Sequence, residues 1–247
     1  MKIALVADLH GNYPATLDMA RTLERIGVDD IWFLGDAVGK GPGSRETCDW
    51  VRANCTLCIG GNWDYGIGGK QFPADDYYWQ QLGPERMAWL NSLPSEAEAT
   101  VSGVRFRLFH GRPVTELLVA QDDKDKLGAT FTTERGVFGG VIFADSHRPF
   151  IRTLKEGYIV NTGSVGNSIG VPKAHALILE GEKDAAAPAP LMMSILSVPY
   201  DTQAAVAAAR ADDALPFRDA YIREITTGVY SRYTNPTGTR QRKRVKG

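Results

Sequence analysis

Residues 3–12 read IALVADLHGN, a short apolar run that ends in a carboxylate and an imidazole. The run Ile3–Ala7 has the composition of a buried β-strand, and Asp8 and His10 follow it directly. Two residues apart in an extended chain, these side chains project to the same side and can bind one ion. The stretch therefore predicts a strand whose end carries a candidate metal site.

Strands and helices alternate over the first sixty residues. Apolar runs predict strands at Ile3–Ala7, Ile31–Leu34 and Thr56–Ile59, and Pro14–Ile26 has apolar residues at helical spacing. A second helix is predicted at Arg45–Asn54. Because strands that alternate with helices are usually parallel and joined by right-handed crossovers, the order favours an α/β fold.

The second half of the chain is richer in strands and turns. We predict helices at Asp75–Leu93 and Asp201–Arg210, and a surface turn at Ala185–Pro190. Strands are predicted at Val104–Phe109, Val137–Phe143, Tyr158–Asn161, Ala174–Leu179 and Ser194–Val198. No internal repeat or linker divides the chain, so we expect one domain over residues 1–233. Residues 234–247 are expected to form a disordered basic tail.

The composition is that of an ordinary globular protein. Of 247 residues, 43% are hydrophobic and 23% are charged, with a formal net charge of -1. Residues 240–246 hold a cluster of basic side chains, which leaves the preceding residues mildly acidic, at about −6. This balance argues against a broad nucleic-acid-binding surface.

The amino-terminal apolar run is too short for a signal peptide or a membrane span. The three cysteines show no disulfide framework, so we expect reduced thiols and a cytoplasmic protein with no membrane contact. The single C-x-x-C pair, Cys55 and Cys58, is interpreted as buried thiols and not as a zinc or redox site.

Five successive predicted strands end in side chains that can bind a metal. Each such residue alone is compatible with a turn or a helix cap, but five strand ends in a row are hard to attribute to chance. His175 lies inside a strand and is assigned a structural role, and Ser164 is assigned to a turn. The candidate residues are Asp8, His10, Asp36, Asn62, Asp64, His110, Asp145 and His147.

In this order the motifs resemble those of the calcineurin-like metallophosphoesterase superfamily. The blocks are Asp8-Leu9-His10, Gly35-Asp36, Gly61-Asn62-Trp63-Asp64, His110, and Ala144-Asp145-Ser146-His147-Arg148-Pro149. The flanking residues are similar to those of compact bacterial phosphoesterases of the YfcE type. The resemblance extends from Lys2 to about Tyr200 and is specific for the superfamily, but only weakly so for a substrate.

The resemblance implies a four-layer α/β/β/α sandwich of two mixed sheets flanked by helices, with the site at the strand ends. It implies two divalent ions, with Mn²⁺ favoured and Fe, Zn²⁺ or Ni²⁺ compatible, because the ligands are nitrogen and oxygen atoms. A hydroxide bridging the ions would attack phosphorus. By motif, the first ion is bound by Asp8, His10 and His147, the second by Asn62, His110 and Asp145, with Asp36 between them. The implied catalytic residues are Asp8, Asp36, Asn62 and Asp64.

Two positions depart from the family pattern. Trp63 stands where the family has a histidine that protonates the leaving oxygen, and an indole N–H cannot donate a proton at neutral pH. Asp64 could replace this acid or could stabilise the loop. Asp145 replaces a ligand histidine, which lowers the positive charge of the site. The second ion is then expected to bind weakly or to be absent.

The predicted activity is metal-dependent hydrolysis of a small or nucleotide-like phosphodiester or phosphomonoester. One alternative is a bacterial Ser/Thr protein phosphatase, and another is a catalytically weak scaffold of the same fold. The expected partner is a small phosphoester, without a clear nucleic-acid partner, and the oligomeric state stays open, a homodimer included. Candidate phosphate-binding residues are Asn12, Lys40, Arg112 and Arg148.

Overall fold

Two five-stranded β-sheets form the centre of the computed structural model, which describes residues 1–72 and 75–231. In chain order the strands are β1 (Lys2–Val6), β2 (Asp30–Leu34), β3 (Leu57–Ile59), β4 (Glu96–Val101), β5 (Val104–Phe109), β6 (Thr132–Thr133), β7 (Gly136–Val137), β8 (Gly140–Phe143), β9 (Phe150–Thr153), β10 (Tyr158–Asn161), β11 (Ala174–Glu180) and β12 (Met192–Val198). The helices are α1 (Tyr13–Arg25), α2 (Ser44–Asn54), α3 (Asn62–Gly68), α4 (Asp76–Ser92), α5 (Lys124–Gly128), α6 (Thr202–Arg210) and α7 (Arg218–Thr227).

Both large sheets are mixed. The first has the order β12-β11-β1-β2-β3, in which β1, β2 and β3 are parallel and β11 and β12 run antiparallel to their neighbours. The second has the order β4-β5-β8-β10-β9, with β5, β8 and β10 parallel. Because parallel strands end at the same edge of a sheet, the residues that follow each parallel set are brought together.

The sheets pack face to face on an apolar interior. Successive side chains of β1 point to opposite faces of the first sheet. Ile3 and Leu5 face the second sheet, whereas Ala4 and Val6 face the helices. Helices α1–α4, α6 and α7 cover the first sheet. Over the second sheet the outer layer is thin, consisting of α5, a 3₁₀ turn and adjacent loops. The predicted sandwich of two mixed sheets flanked by helices is confirmed.

Several predicted elements differ in detail from the structure. The strand predicted at Val137–Phe143 is divided, because Val137 pairs in the β6–β7 hairpin and only Gly140–Phe143 joins the second sheet. The helix predicted at Asp75–Leu93 is broken at Gly83, which has φ 68° and precedes Pro84. Strands β4 and β9 and helices α3 and α7 were not predicted. In β4, Glu96 and Glu98 alternate with Ala97 and Ala99, and both residue types have low strand propensity, so the apolar signal is weak.

The predicted tail at 234–247 lies outside the described residues. Among the helices of the described ranges, none is long and apolar enough to cross a membrane.

Candidate metal centre

The candidate ligands follow the carboxyl ends of parallel strands from both sheets. Asp8 and His10 come after β1, Asp36 after β2, and His110 after β5. The backbone of these turns is unusual, because six residues of the region adopt left-handed conformations with φ between 47° and 64°. Such conformations are disfavoured for residues other than glycine and concentrate at functional sites. The six residues are Asp8, His10, Asp36, Lys40, Asp145 and His147.

Asp8, His10 and His147 form a first buried group whose ligand atoms all lie within 4.8 Å of one another. The Nε2 atoms of His10 and His147 lie 3.6 and 3.3 Å from Asp8 Oδ1. On the opposite side of each ring, Nδ1 lies 3.2 Å from Val38 O for His10 and 2.6 Å from Asn167 O for His147. Since a carbonyl accepts the Nδ1 proton, the Nε2 lone pairs face the group, as metal binding requires.

A second buried group contains Asp8, Asp36 and His110. His110 Nδ1 donates to Leu34 O at 2.7 Å, which directs Nε2 to the carboxylates, 3.3 Å from Asp36 Oδ2 and 3.7 Å from Asp8 Oδ1. Asp36 Oδ2 also lies 3.6 Å from His10 Nε2, so it stands between imidazoles of both groups. Asp8 belongs to both groups and Asp36 to the second alone, and the bridging role of Asp36 stays a prediction.

Four buried atoms in this cluster have no hydrogen-bond partner. They are both carboxylate oxygens of Asp8, Oδ1 of Asn62 and Nε2 of His110. A buried polar atom without a partner costs about 1–3 kcal/mol, and more when it is charged. Divalent ions would satisfy these oxygen and nitrogen atoms together, so the residues fit a metal centre.

Charge coupling within the cluster is strong. Burial raises the pKa of Asp8, but His147 and His110 lower it more, so that its pKa lies well below the usual value. Burial lowers the pKa of His110, whereas Asp36 and Asp8 raise it well above the usual value. For His10, burial and the nearby Lys40 lower the pKa to about 4. The carboxylates thus carry negative charge into a buried region, where positive charge from imidazolium or from a bound metal ion balances it.

Asp145 lies outside both ligand groups of the described residues. Its carboxylate instead accepts from Arg112, at 2.8 Å from Nε to Oδ2, together with Nη2 to Oδ1 and the backbone N–H at 3.1 Å. Bidentate pairing of this kind is among the stronger charged contacts in proteins. The structure therefore places Asp145 with Arg112, which differs from its predicted place as a ligand of the second ion.

Asp64 is buried and faces the backbone. Its Oδ2 accepts from Asp36 N at 2.7 Å and Gly61 N at 3.0 Å, and Oδ1 accepts from Ala37 N at 2.9 Å. Burial and the charge of Asp36 raise its pKa to about 7, against the lowering effect of these N–H groups. The carboxylate holds the Asp36 loop, so its geometry corrects the predicted catalytic role in favour of loop stabilisation.

The four predicted phosphate-binding residues divide into two sets. Asn12 is buried, caps α1 by accepting from Ala15 N at 3.3 Å, and donates to Gly166 O at 2.8 Å. Because both ends of this side chain are engaged away from the cavity, its placement argues against the predicted phosphate contact. Lys40, Arg112 and Arg148 line the cavity beside the metal centre.

Lys40 is positioned by residues that the sequence did not single out. Its ammonium donates to Asn167 Oδ1 at 2.7 Å and lies 3.7 Å from Glu224 Oε2 on α7. Burial raises the pKa of Glu224, but Lys40 and hydrogen bonds from Ser231 and Asn167 lower it below its usual value. No local motif marks Asn167 or Glu224, since their contact with Lys40 spans most of the chain.

Two residues given structural roles from sequence have structural contacts. Ser164 Oγ donates to Asp8 O at 2.8 Å and accepts from Asn167 N at 2.8 Å, so it stabilises the turn behind Asp8. His175 is buried, with Nδ1 2.8 Å from Ser168 Oγ, and burial lowers its pKa.

A cavity of about 760 Å³ opens beside the metal centre. Its lining includes Asp36, Asn62 and His147 together with aromatic and aliphatic side chains. This volume is in the range of small-molecule sites. The lining aromatic residues are Trp63, Phe72, Tyr78, Phe217 and Tyr230.

Residues 1–184 match the family model described as the calcineurin-like phosphoesterase superfamily domain. The uncharacterized protein MJ0912 of Methanocaldococcus jannaschii is 29% identical over 231 residues, which cover 82% of this chain and 89% of that protein. A metallophosphoesterase from Sphaerobacter thermophilus has a similar structure, with TM-score 0.73, 24% identity, and coverage of 93% and 99% of the two chains. The hypothetical protein PH1004 from Pyrococcus horikoshii OT3 has TM-score 0.74 and 19% identity, with coverage of 91% and 97%. At these identities the two structures show the common fold.

Proposed function

The chain belongs to the calcineurin-like phosphoesterase superfamily, and on that premise we propose that it is a metal-dependent hydrolase of a small phosphoester. The observation that carries this proposal is the convergence of partnerless buried atoms from Asp8, Asn62 and His110 at the strand ends. The adjoining cavity of about 760 Å³ supports a small substrate and not a protein surface.

The division of roles follows from the placement of each side chain. Divalent ions held by the two groups, Mn²⁺ being our proposal, would polarise the phosphoryl group and activate water for attack. Asp8 and Asp36 supply the anionic ligands, and the imidazoles of His10, His110 and His147 supply neutral nitrogen. Lys40 and Arg148 line the cavity and stabilise negative charge that develops on the phosphoryl oxygens.

Neither Trp63 nor Asp64, the two residues at the position of the family's general acid, is a good proton donor for the leaving group. The indole of Trp63 does not titrate near neutral pH, and the Asp64 carboxylate is held by backbone N–H groups. General acid catalysis typically contributes about 10²–10⁴-fold. We therefore expect hydrolysis of bis-p-nitrophenyl phosphate with added Mn²⁺, and much slower cleavage of an ester with an alkoxide leaving group.

The decisive variant is Asp36→Asn. Asparagine keeps an oxygen that can accept the Trp63 N–H, found at 2.9 Å from Asp36 Oδ1, but it removes the anionic oxygen facing His10 and His110. We expect kcat/KM for bis-p-nitrophenyl phosphate to fall at least about 100-fold, because even outer-shell metal partners are worth 10–100-fold. Retained turnover would contradict the proposed metal centre. Asp213→Asn is the matched control, since the Asp213 side chain is 98% exposed.

A metal-poor scaffold is a second candidate, and the Arg112–Asp145 pair is the observation that favours it. Metal analysis of the purified protein separates the candidates when it is combined with assays of bis- and mono-p-nitrophenyl phosphate. Less than one bound ion and no turnover of either ester would favour the scaffold. Turnover restricted to a phosphoserine or phosphothreonine peptide would favour a protein phosphatase.

A further inference from the structure

The cavity that contains Asp36, Asn62 and His147 is also lined by aromatic side chains, among them Trp63 and Phe72. Three exposed large apolar side chains line it, namely Phe72 at 58%, Leu117 at 43% and Phe217 at 68%. Scattered exposed apolar residues need no explanation, but a cluster around one cavity marks a binding surface. This cluster is continuous with the residues that face the metal centre.

The aromatic lining residues Trp63, Phe72, Tyr78, Phe217 and Tyr230 are called the aromatic wall. Of these, Trp63 contacts the candidate ligand His10. It follows Asn62 directly, and its backbone N–H donates to Asp36 Oδ1 at 2.9 Å. Its indole meets the ring of His10 edge to face, with centroids 5.6 Å apart, and the ring of Tyr78 in the same way at 6.5 Å. A group attached to a phosphate at Asp36 and Asn62 would therefore meet the indole first.

The indole of Trp63 occupies space that is free because Gly39 has no side chain. Gly39 lies beneath the ring, and a Cβ at this position would stand 2.2 Å from Trp63 Cε3. Any other residue at position 39 would thus displace the indole. A rigid aromatic side chain offers a large contact area at little cost in conformational entropy.

We propose that Trp63 and Phe72 form a subsite for a planar aromatic substituent of the phosphoester, such as an aryl group or a nucleobase. The inference rests on the proposed function and extends it to the class of substrate. Stacking on an aromatic side chain tolerates different ring systems, because every such ring presents a π-face. The affinity should therefore depend on planarity and less on the pattern of hydrogen-bonding groups.

The test uses non-hydrolysable phosphonates of equal charge. Dissociation constants of phenyl-, cyclohexyl- and methylphosphonate are measured by calorimetry on the full-length, Mn²⁺-loaded protein. We expect phenylphosphonate to bind about ten-fold more tightly than methylphosphonate, with cyclohexylphosphonate clearly weaker than phenylphosphonate. Equal affinity for phenyl- and cyclohexylphosphonate would contradict the proposal that the subsite selects an aromatic substituent.

Four variants test whether the aromatic wall causes the preference for phenylphosphonate over methylphosphonate. Trp63→Leu and Phe72→Ala should each reduce the ratio of phenyl to methyl affinity several-fold, whereas Trp63→Phe should retain most of it because a ring remains. Met192→Ala is the control, since Met192 is 50% exposed on the edge strand β12, away from the cavity. An unchanged ratio in both Trp63→Leu and Phe72→Ala would overturn the subsite.

Turnover of bis-p-nitrophenyl phosphate, measured in parallel, distinguishes two kinds of failure. Normal turnover with equal binding of phenyl- and methylphosphonate overturns the subsite alone. Absence of both turnover and phosphonate binding overturns the proposed function and the subsite with it.

Discussion

The Arg112–Asp145 pair is the residue-scale feature that most affects the metal centre. Asp145 has a left-handed backbone with φ 64° and only 5% of its surface exposed, yet its carboxylate is occupied by a guanidinium. Arg112 keeps half of its side-chain surface exposed toward solvent. A cation thus holds the carboxylate that the family pattern assigns to metal binding, and an ion on the His110 side must compete with it.

Asp145→His should strengthen binding of the second ion. Imidazole does not pair with Arg112, and it supplies the neutral nitrogen that divalent transition metals prefer. We expect the dissociation constant of the weaker Mn²⁺ site to fall about ten-fold, as measured by calorimetry on metal-free protein. Asp184→His is the matched control, because Asp184 is exposed and has a similar φ of 61°. Equal metal affinity in native protein and Asp145→His would contradict this account.

At the scale of elements, helices α3 and α4 supply Trp63 and Tyr78 to the cavity, and each contains a glycine whose backbone conformation can be tested. Helix α4 is broken at Gly83, and the following Pro84 begins a new turn. The break allows Tyr78 and Leu90, on opposite sides of it, to pack in the same apolar cluster. Gly66 in α3, by contrast, has an ordinary helical backbone and a neighbouring Phe72 at van der Waals distance.

The same substitution should therefore have opposite effects at the two glycines. Gly83→Ala forces a side chain into φ 68° and should lower the free energy of unfolding by about 1–2 kcal/mol, although no atom would clash with the new Cβ. Gly66→Ala should raise it by about 0.5–1 kcal/mol, because alanine restricts the unfolded chain. Urea unfolding curves give both values. Destabilisation of similar size in both variants would show that the kink does not depend on left-handed geometry.

At the scale of the whole molecule, the metal centre joins the two sheets. Asp8, His10 and Asp36 come from the first sheet, and His110 and His147 follow strands of the second. The carboxylates and imidazoles meet at the edge of an apolar interior, and His110 Nδ1 already links the sheets there by donating to Leu34 O at 2.7 Å. Bound cations would satisfy the partnerless atoms of Asp8, Asn62 and His110 and would add further links between the ends of the strands of the two sheets.

Metal loading should consequently stabilise the entire fold. At a free Mn²⁺ concentration 100 times the dissociation constant, linkage predicts about 2.7 kcal/mol of stabilisation. For a chain of this size the corresponding rise in Tm is about 5–10 °C, measurable by calorimetry with and without EDTA. The rise should be much smaller in Asp36→Asn and unchanged in Asp213→Asn. A Tm that does not respond to Mn²⁺ or EDTA would argue against bound ions in the native protein.

The amino-acid sequence alone determined the fold class and the residues that follow each strand. Apolar runs such as Ile3–Ala7 end in metal-type side chains, and the carboxyl ends of parallel strands necessarily meet at one edge. This local order explains why the family and the sandwich could be predicted without coordinates. The strand β4 was missed because glutamate and alanine, which make up most of it, are depleted in strands.

Only the tertiary structure decided which polar side chains pair with one another. Asp145 and Arg112 are 33 residues apart, and Asp64 reaches Asp36 N across 28, so no local pattern records either contact. The aromatic wall likewise combines the α3 region with the segment that begins α7. IALVADLHGN thus specified a strand ending in two candidate ligands, whereas the packing of two sheets decided what those side chains face. The physical reason is that hydrogen bonds and ion pairs depend on distances that exist only after the layers have packed.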